Sequence, residues 1–249
     1  MFKTLLFLLL SISTLNAQEV FTDSVQKKDN THEFKFKQLI IPTALIGYGV
    51  IGLESDGLKL FNTEIKEEVN ENIDEKITID DFSQYLPAVS VYGLNAIGIK
   101  GKHNFKDRTI ILGTSYLLMS ATVLSLKSIT KVERPDGSAN NSFPSGHTAT
   151  AFAGAEFLWQ EYKDVSVWYG ISGYIVAVGT GAFRIYNDKH WLTDVAAGAG
   201  IGILSTKVAY WINPWMQEKI FKSKEKNTTS IMAPFYNGKQ LGVGFVRSF

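Results

Sequence analysis

The chain has 249 residues, of which 45% are hydrophobic and 20% are charged, a balance too apolar for disorder and sufficient for a substantial core. Its formal net charge of +1 provides no long-range field for polyanions, so we expect no nucleic-acid partner. The chain has no cysteine, which excludes disulfides, thiolate nucleophiles, zinc–thiolate sites and iron–sulfur clusters. A catalytic metal would need histidine and carboxylate ligands.

Residues 1–17 have the layout of a secretory signal peptide. Lys3 provides the basic start, an apolar stretch covers residues 5–10, and Ala17 is a plausible cleavage point. An uncleaved first anchor is the alternative, and both interpretations predict export to or across a membrane. A polar segment, residues 18–37, follows.

Six apolar blocks make up a predicted helical domain, residues 38–216. Each block is near or below the roughly 20 residues that a helix needs to span hydrocarbon, so each is a marginal span or a buried helix. Gly198 and Gly202 have GxxxG spacing, and the fifth block is rich in glycine, which favours close helix contacts. The blocks cover residues 39–53, 86–99, 109–126, 144–162, 166–183 and 195–212.

Two further elements flank or interrupt these blocks. Apolar residues recur at helical spacing from Leu58 to Ile77 beside many acidic residues, which predicts an amphipathic helix with a solvated acidic face. The C-terminal segment, residues 217–249, begins as a basic linker, and its apolar alternation around Asn237-Gly238 predicts a small hairpin. The expected fold is therefore an all-α, six-helix bundle with a small C-terminal hairpin-like tail.

The first stretch with chemical potential lies at the end of the third block. Lys127 and Arg134 are seven residues apart, or two helical turns, so they share a face and converge on an anion if the helix continues that far. Pro135 then forces the chain to leave the helix. A basic helix end that complements the helix dipole is the alternative.

The second stretch, Ser-Phe-Pro-Ser-Gly-His-Thr at residues 142–148, opens the fourth block. Pro144, Ser145 and Gly146 predict a helix start whose free backbone N–H groups suit a phosphate. His147 lies in the first turn, where it can transfer a proton near physiological pH. The alternative is an ordinary helix cap with an incidental histidine.

The third stretch lies between the fifth and sixth blocks. If the sixth helix begins near His190, then Asp194, four residues later, lies on the same face, fixes the imidazole tautomer and leaves the other ring nitrogen free to attack. A metal pair is a rival interpretation, but two histidines without a carboxylate cluster are an unusual ligand set. The other histidines, His32 and His103, lie in polar linkers and are expected to be solvated.

In this order, Lys-x6-Arg-Pro, Pro-Ser-Gly-His and Arg-x5-His-x3-Asp resemble the three-part signature of the type 2 phosphatidic acid phosphatase (PAP2) superfamily, which also includes bacterial acid phosphatases and vanadium haloperoxidases. The resemblance implies a PAP2/haloperoxidase-type helical bundle that is embedded in a membrane. It also implies that His190 attacks phosphorus to form a phosphohistidine, that Asp194 orients His190, and that His147 protonates the leaving oxygen.

The resemblance further assigns a phosphate-binding set and implies that neither a metal nor another cofactor is needed. Fixed cations and helix-end N–H groups can replace magnesium in stabilising the developing negative charge. One departure is Phe183, which stands where the family usually has serine before the third-motif arginine. The phosphate-binding residues would be Lys127, Arg134, Ser145, Gly146 and Arg184.

The expected activity is hydrolysis of a phosphate monoester or diphosphate on a membrane lipid: lipid A phosphate, undecaprenyl diphosphate, phosphatidylglycerol phosphate or phosphatidic acid. Membrane lipids are the expected surroundings, and no protein partner is implied. The alternatives are a soluble periplasmic acid phosphatase acting on small phosphomonoesters, a vanadate-dependent haloperoxidase, and a non-catalytic lipid-binding scaffold.

Basic residues predict the orientation. Those within residues 100–108 and 219–226 are expected on the cytoplasmic side, which places the three motifs on the periplasmic side of the inner membrane if blocks three to six each span. However, a cleaved signal peptide followed by two further spans would place residues 100–108 on the periplasmic side instead. We therefore expect that the first or second block does not cross; the alternative is a peripheral periplasmic protein.

Overall fold

Eight α-helices form most of the part of the chain that the structure, a computed structural model, describes: residues 36–71, 76, 78–221, 230–236 and 241–247. Six of these helices coincide with the six predicted apolar blocks. The predicted signal peptide, His32 and the turn at 237–238 lie outside the described residues. The helices are α1 (Ile40–Ile51), α2 (Asp56–Glu71), α3 (Asp80–Ser83), α4 (Leu86–Ala96), α5 (Phe105–Thr130), α6 (Gly146–Tyr162), α7 (Val167–Tyr186) and α8 (Leu192–Met216).

The two helices beyond the six blocks have different origins. The first is α2, the predicted amphipathic helix, and its acidic residues Glu64, Glu67 and Glu68 are exposed as expected. The other is α3, a single turn for which the apolar pattern gives no signal. The predicted C-terminal hairpin is also confirmed: β1 (Ser230–Tyr236) pairs antiparallel with β2 (Leu241–Arg247).

Side-chain caps determine where the long helices begin. Asn104 accepts a hydrogen bond from the N–H of Asp107 at 2.9 Å at the start of α5, and Ser145 and Ser166 cap α6 and α7, as short polar side chains do at helix N-termini. At its other end α5 stops at Thr130, because Lys131 adopts a left-handed conformation with φ of 48°. The helix therefore does not reach Arg134, and the predicted two-turn alignment of Lys127 with Arg134 is wrong.

Helix α8 lies at the centre of the bundle and packs against α1, α5 and α6. Its GxxxG glycines make the close contact with α6: a Cβ on Gly198 would overlap the carbonyl oxygen of Ser145, and a Cβ on Gly202 would overlap that of Ala149. The predicted role of these glycines in close packing is confirmed. This contact also fixes the start of α6, where the second motif lies, against the first turns of α8.

Among the described residues, two helices are long and apolar enough to cross a membrane: Phe105–Thr130 and the continuous helical segment Leu192–Lys219. A third span would result if α1 and α2 were counted together, although these two helices meet at a bend of 93°. In contrast, α4 has only 11 residues, which at 1.5 Å per residue is about half of the hydrocarbon thickness.

His103 is buried rather than solvated, which corrects the sequence-based expectation. Its side chain is 4% exposed, and its Nδ1 lies 2.6 Å from Oε1 of Glu161. The polar segment before α5 folds onto the last turn of α6, where the N–H of Lys102 donates to the carbonyl of Glu161 at 3.0 Å. Tyr210 donates to the same carboxylate at 2.7 Å, so the histidine belongs to a buried structural network.

Candidate active site

The three motifs meet at one end of the bundle, where α5 and α7 end and α6 and α8 begin. Backbone hydrogen bonds join them. The N–H of Ser142 donates to Val132 O at 2.8 Å, that of Asp136 to Asp188 O at 3.1 Å, and that of Ser145 to Asp194 O at 3.0 Å. The motifs are thus held together independently of any ligand.

His190 and Asp194 form a buried pair, with side chains that are 2% and 1% exposed and with Nδ1 and Oδ2 3.6 Å apart. Helix α8 begins at Leu192, so His190 precedes the helix and the pair does not share a helical face as predicted. Asp194 instead caps α8 by accepting from the N–H of Trp191 at 3.0 Å, in the manner of a capping box. The cap turns the carboxylate back toward His190.

Ser142 lies between the two members of this pair. Its hydroxyl donates to Oδ2 of Asp194 at 2.5 Å and is 3.4 Å from Nδ1 of His190. The carboxylate is therefore held by two hydrogen bonds, from Ser142 and Trp191. Because Nδ1 faces this carboxylate, Nε2 is the ring nitrogen available for attack.

Burial lowers the pKa of His190 to about 4, and this effect outweighs the opposite effect of Asp194. Lys127 and Arg184 lower the pKa further. The imidazole is consequently neutral at physiological pH. A neutral ring nitrogen keeps the lone pair that a nucleophile needs.

A cavity of about 290 Å³ opens at the same end of the bundle. Arg184 lines it and accepts a hydrogen bond from the N–H of His190 at its carbonyl oxygen, at 3.2 Å, but neither His190 nor Asp194 is among the described residues that line the cavity. The cavity is lined by one residue from each motif, namely Arg134, His147 and Arg184, and also by Lys189. Arg184 is 7% exposed, and its Nε has no hydrogen-bond partner among the described residues. This unused donor suits a phosphoryl oxygen.

Lys127 and Arg134 both hold the segment before the second motif. Lys127 Nζ donates to the carbonyls of Asn141 and, at 3.2 Å, Ser142, and Arg134 Nε donates to Oδ1 of Asn141 at 2.9 Å. The two cations therefore converge on one segment, although no single helix carries them.

Ser145 and Gly146 lie at the start of α6 and are not among the described residues that line the cavity. The hydroxyl of Ser145 is buried and bonds to that of Thr148 at 2.8 Å, so it serves the helix cap. The N–H of Thr148 donates to the hydroxyl of Ser145 at 3.4 Å, whereas the N–H groups of Gly146 and His147 lie in the first turn, where N–H groups lack intrahelical partners. Phe183, the residue that stands where the family usually has serine, contacts Tyr186 edge-on, with the two ring centroids 5.8 Å apart.

The cavity contains residues that the sequence interpretation missed. Asp80 and Asp81 come from α3, far from the motifs in sequence, and Asn187 and Lys189 lie within the third stretch without an assigned role. Arg184 donates to Asp80, and Asn187 donates to the same carboxylate at 3.0 Å. Asn187 and Lys189 could have been predicted as site residues from their positions between Arg184 and His190. Nothing in the sequence around α3 indicates that Asp80 and Asp81 belong to the site.

Lys189 and Asp136 connect the first and third motifs through an ion pair of 2.6 Å. Burial raises the pKa of Asp136, but hydrogen bonds from Lys189 and Ser138 outweigh this effect and hold the pKa well below its usual range. The Asp136 carboxylate thus remains charged across the physiological range.

Asp80, Asp81 and His147 also offer ligand atoms within 4.8 Å of one another. However, the guanidinium of Arg184 is bonded to Asp80, and its positive charge opposes a cation at this point.

Residues 108–218 match the PAP2 superfamily. This region contains all three motifs, almost all of α5, the helices α6 to α8 and every cavity residue except those around α3. Residues 108–218 are therefore similar to the PAP2 superfamily, as the motifs predict.

Two relatives match parts of the chain. The lipid A 1-phosphatase of Porphyromonas gingivalis is 42% identical over 138 residues, which are 54% of this chain and 31% of that protein. The bacitracin transport permease protein BcrC of Bacillus licheniformis is 35% identical over 75 residues, which are 30% of this chain and 35% of that protein. The chain thus spans about a third of the length of each relative.

Two solved structures are also similar. LpxE of Aquifex aeolicus has a TM-score of 0.45 with 26% identity, covering 60% of this chain and 94% of LpxE. A PAP2-type phosphatidylglycerolphosphate phosphatase of Bacillus subtilis has a TM-score of 0.47 with 22% identity, covering 75% of this chain and 99% of that protein.

Proposed function

We propose that this protein is a metal-independent phosphatase that removes a phosphate from a membrane lipid through a phosphohistidine. The observation that carries the proposal is the neutral, buried His190 paired with Asp194 at the same end of the bundle as a cavity lined by Arg134 of the first motif, His147 of the second and Arg184 of the third. A nucleophile, an orienting carboxylate and an anion-binding cavity are the parts that phosphoryl transfer requires.

The proposed reaction has two steps. Nε2 of His190 attacks phosphorus, the bond to the leaving oxygen breaks, and His147 gives this oxygen a proton. Water then attacks the phosphohistidine, the P–N bond breaks, and His147 accepts a proton from the water. Asp194 stabilises the positive charge that develops on His190 during the attack.

Electrostatic stabilisation comes from Lys127, Arg134 and Arg184. Fixed cations in a partly buried site stabilise developing charge on phosphoryl oxygens without reorganisation, which is the role that magnesium has in many kinases and ATPases. The Nε–H of Arg184, which is part of its charged guanidinium, and the first backbone N–H groups of α6 are the hydrogen-bond donors.

Lipid A phosphate is the first candidate substrate, because a protein named lipid A 1-phosphatase is 42% identical over 138 residues. Undecaprenyl diphosphate, phosphatidylglycerol phosphate and phosphatidic acid remain the other candidates. A lipid substrate also agrees with the position of the cavity at the ends of two helices with the length and apolar character of membrane spans.

Membrane embedding is supported by the surface of the bundle. Large apolar side chains project from α5 and α7 without protein contacts that bury them, and contiguous apolar surface marks a membrane or a partner. The exposed residues are Leu117, Leu124 and Ile129 of α5 and Trp168, Ile175 and Val178 of α7.

The proposed orientation places the cavity in the periplasm and the basic residues of 100–108 in the cytoplasm. These residues precede or begin α5, whereas Lys127 lies near its other end, about 30 Å away at 1.5 Å per residue. The proposal has the short α4 not crossing the membrane. This leaves one span between a cleaved signal peptide and α5, which agrees with residues 100–108 on the cytoplasmic side.

The test compares phosphate-bearing envelope lipids by mass spectrometry in the wild type, a deletion strain, and strains with His190→Ala or Asp164→Asn. We expect the deletion strain and the His190→Ala strain to accumulate the same phosphorylated lipid. The Asp164→Asn strain should have the lipid profile of the wild type, because Asp164 is exposed and lies at the far end of α6. Unaltered lipids in the deletion strain would refute the proposal, and activity confined to soluble phosphomonoesters would support the acid phosphatase instead.

A further inference from the structure

The single-turn helix α3 brings two carboxylates into the active-site cavity from outside the region that is similar to the PAP2 superfamily. Asp80 and Asp81 line the cavity together with His147 and Arg184. The turn is fixed on α7 by a 2.8 Å hydrogen bond between the hydroxyls of Ser83 and Thr180. Its acidic residues are therefore part of the site.

The two carboxylates have different partners. Asp80 is buried and accepts hydrogen bonds from Arg184 and Asn187. Asp81 is half exposed, and its Oδ1 lies 2.9 Å from Nε2 of His147 and 4.0 Å from the guanidinium of Arg184. Asp80 thus holds the arginine, whereas Asp81 holds the histidine.

We infer that Asp81 is a positioning residue for His147, so that the site contains two histidine–carboxylate pairs, His190–Asp194 on the nucleophile and His147–Asp81 on the leaving-group acid. This inference rests on the proposed function. With Nε2 bonded to Asp81, Nδ1 of His147 donates its proton to the leaving oxygen as the P–O bond breaks. The Nε2–H group of His147 stays hydrogen-bonded to Asp81 in both steps. In the second step, Nδ1 of His147 accepts a proton from the attacking water.

The charges around His147 explain why this acid needs a carboxylate. The cavity presents cations from several elements, namely Lys76, Arg134, Arg184 and Lys189, and a cation nearby disfavours a protonated imidazole. Burial and Arg184 lower the pKa of His147, whereas Asp81 and Asp80 act in the opposite direction. The pKa of His147 is below its ordinary value overall, so Asp81 orients the ring and limits this lowering.

Leaving-group chemistry separates this role from a purely structural one. An alkyl phosphate or a phospholipid expels an alkoxide that needs a proton, whereas p-nitrophenyl phosphate expels a stable phenolate that does not. The experiment measures kcat and KM of the full chain in detergent on octyl phosphate and p-nitrophenyl phosphate for the wild type and six variants. The variants are Asp81→Asn, Asp81→Glu, His147→Ala, the double variant of Asp81→Asn with His147→Ala, His190→Ala and the exposed control Asp164→Asn.

We expect Asp81→Asn to lower kcat on octyl phosphate about tenfold, because a positioning residue supplies only part of the roughly 10²–10⁴-fold effect of a general acid. The same change should lower kcat on p-nitrophenyl phosphate much less. The alkaline limb of the octyl phosphate profile should move to lower pH. Asp81→Glu should restore part of the loss, and adding Asp81→Asn to His147→Ala should have little further effect. Asp164→Asn should match the wild type on both substrates.

Equal losses on both substrates, or an unchanged alkaline limb, would overturn the inference. A lower KM and higher turnover for Asp81→Asn would overturn it in another way, because Asp81 would then be a competitor for the phosphate position. If His190→Ala retained activity in the same assays, the proposed function itself would fail. An inactive His190→Ala beside a wild-type Asp81→Asn would remove only this inference.

Discussion

Replacing Gly198 with alanine should damage catalysis more than stability, because the α6–α8 contact sets the position of the second motif. A Cβ at this position would overlap the carbonyl oxygen of Ser145, the N-cap of α6, and would lie 3.4 Å from the backbone N of Ala149. Backbone atoms cannot rotate away as a side chain can. The start of α6, with His147, must therefore move relative to His190.

The magnitude follows from two opposing effects. Overpacking a well-packed contact costs about 1–3 kcal/mol, while alanine in place of glycine inside a helix returns up to about 1 kcal/mol. The net loss of stability is then roughly 0–2 kcal/mol. In contrast, misplacing catalytic groups by about 1 Å costs about a hundredfold in rate, so a shift of roughly half that size predicts a loss of about tenfold in kcat/KM.

Gly179→Ala in α7 is the matched control, because a Cβ there meets no atom within 4 Å. Phosphate release from a phosphorylated lipid in detergent gives kcat/KM, and thermal unfolding of the same samples gives stability. We expect Gly179→Ala to equal the wild type in activity and Gly198→Ala to lose activity while still folding. Equal activity of the two variants would refute the idea that this contact positions the site.

Two further predictions concern protons and metals. Burial lowers the pKa of His190 to about 4 from its ordinary value of 6.5. Between these two pH values the unfolded chain therefore binds a proton that the folded chain does not. The free energy of unfolding should fall as the pH falls through this range, by up to roughly 3 kcal/mol for this group. Chemical unfolding at pH 7 and pH 4.5 should show a smaller pH effect in His190→Gln, and an unchanged effect would contradict the burial of a neutral imidazole. Because fixed cations stabilise the transition state, exhaustive dialysis against EDTA should change kcat/KM by less than about twofold. A loss that a divalent cation restores would instead indicate a metal at Asp80, Asp81 and His147.

The sequence predicts the helices well because their signals are local. Long apolar blocks with few charges specify helices by composition alone, and caps such as Ser145 and Ser166 specify where they begin. Sequence reasoning failed at the end of α5, because no residue type announces that Lys131 takes a left-handed conformation. It also failed at His103, where the polar neighbours suggested solvent but a tertiary contact with Glu161 buries the ring.

The motif residues were found because family resemblance marks them, but their geometry depends on contacts that spacing does not contain. The expected helical alignment of Lys127 with Arg134 does not occur, and both reach the site by bonding to Asn141. Asp80 and Asp81 were missed for the same reason: their partners, Arg184 and His147, are 66 residues or more away in sequence. Long-range pairing of this kind is set by packing, which no local pattern encodes.

Asp194 shows why fold and site cannot be separated at this end of the bundle. Its carboxylate caps α8 through the N–H of Trp191 and faces His190, while its carbonyl oxygen accepts from the N–H of Ser145, the cap of α6. One residue thus starts one helix, anchors the start of another and orients the proposed nucleophile. Any rearrangement that moves His190 from Asp194 must also disturb a helix start, and such starts contribute about 1 kcal/mol each. The geometry of the nucleophile is therefore maintained by the same interactions that stabilise the bundle.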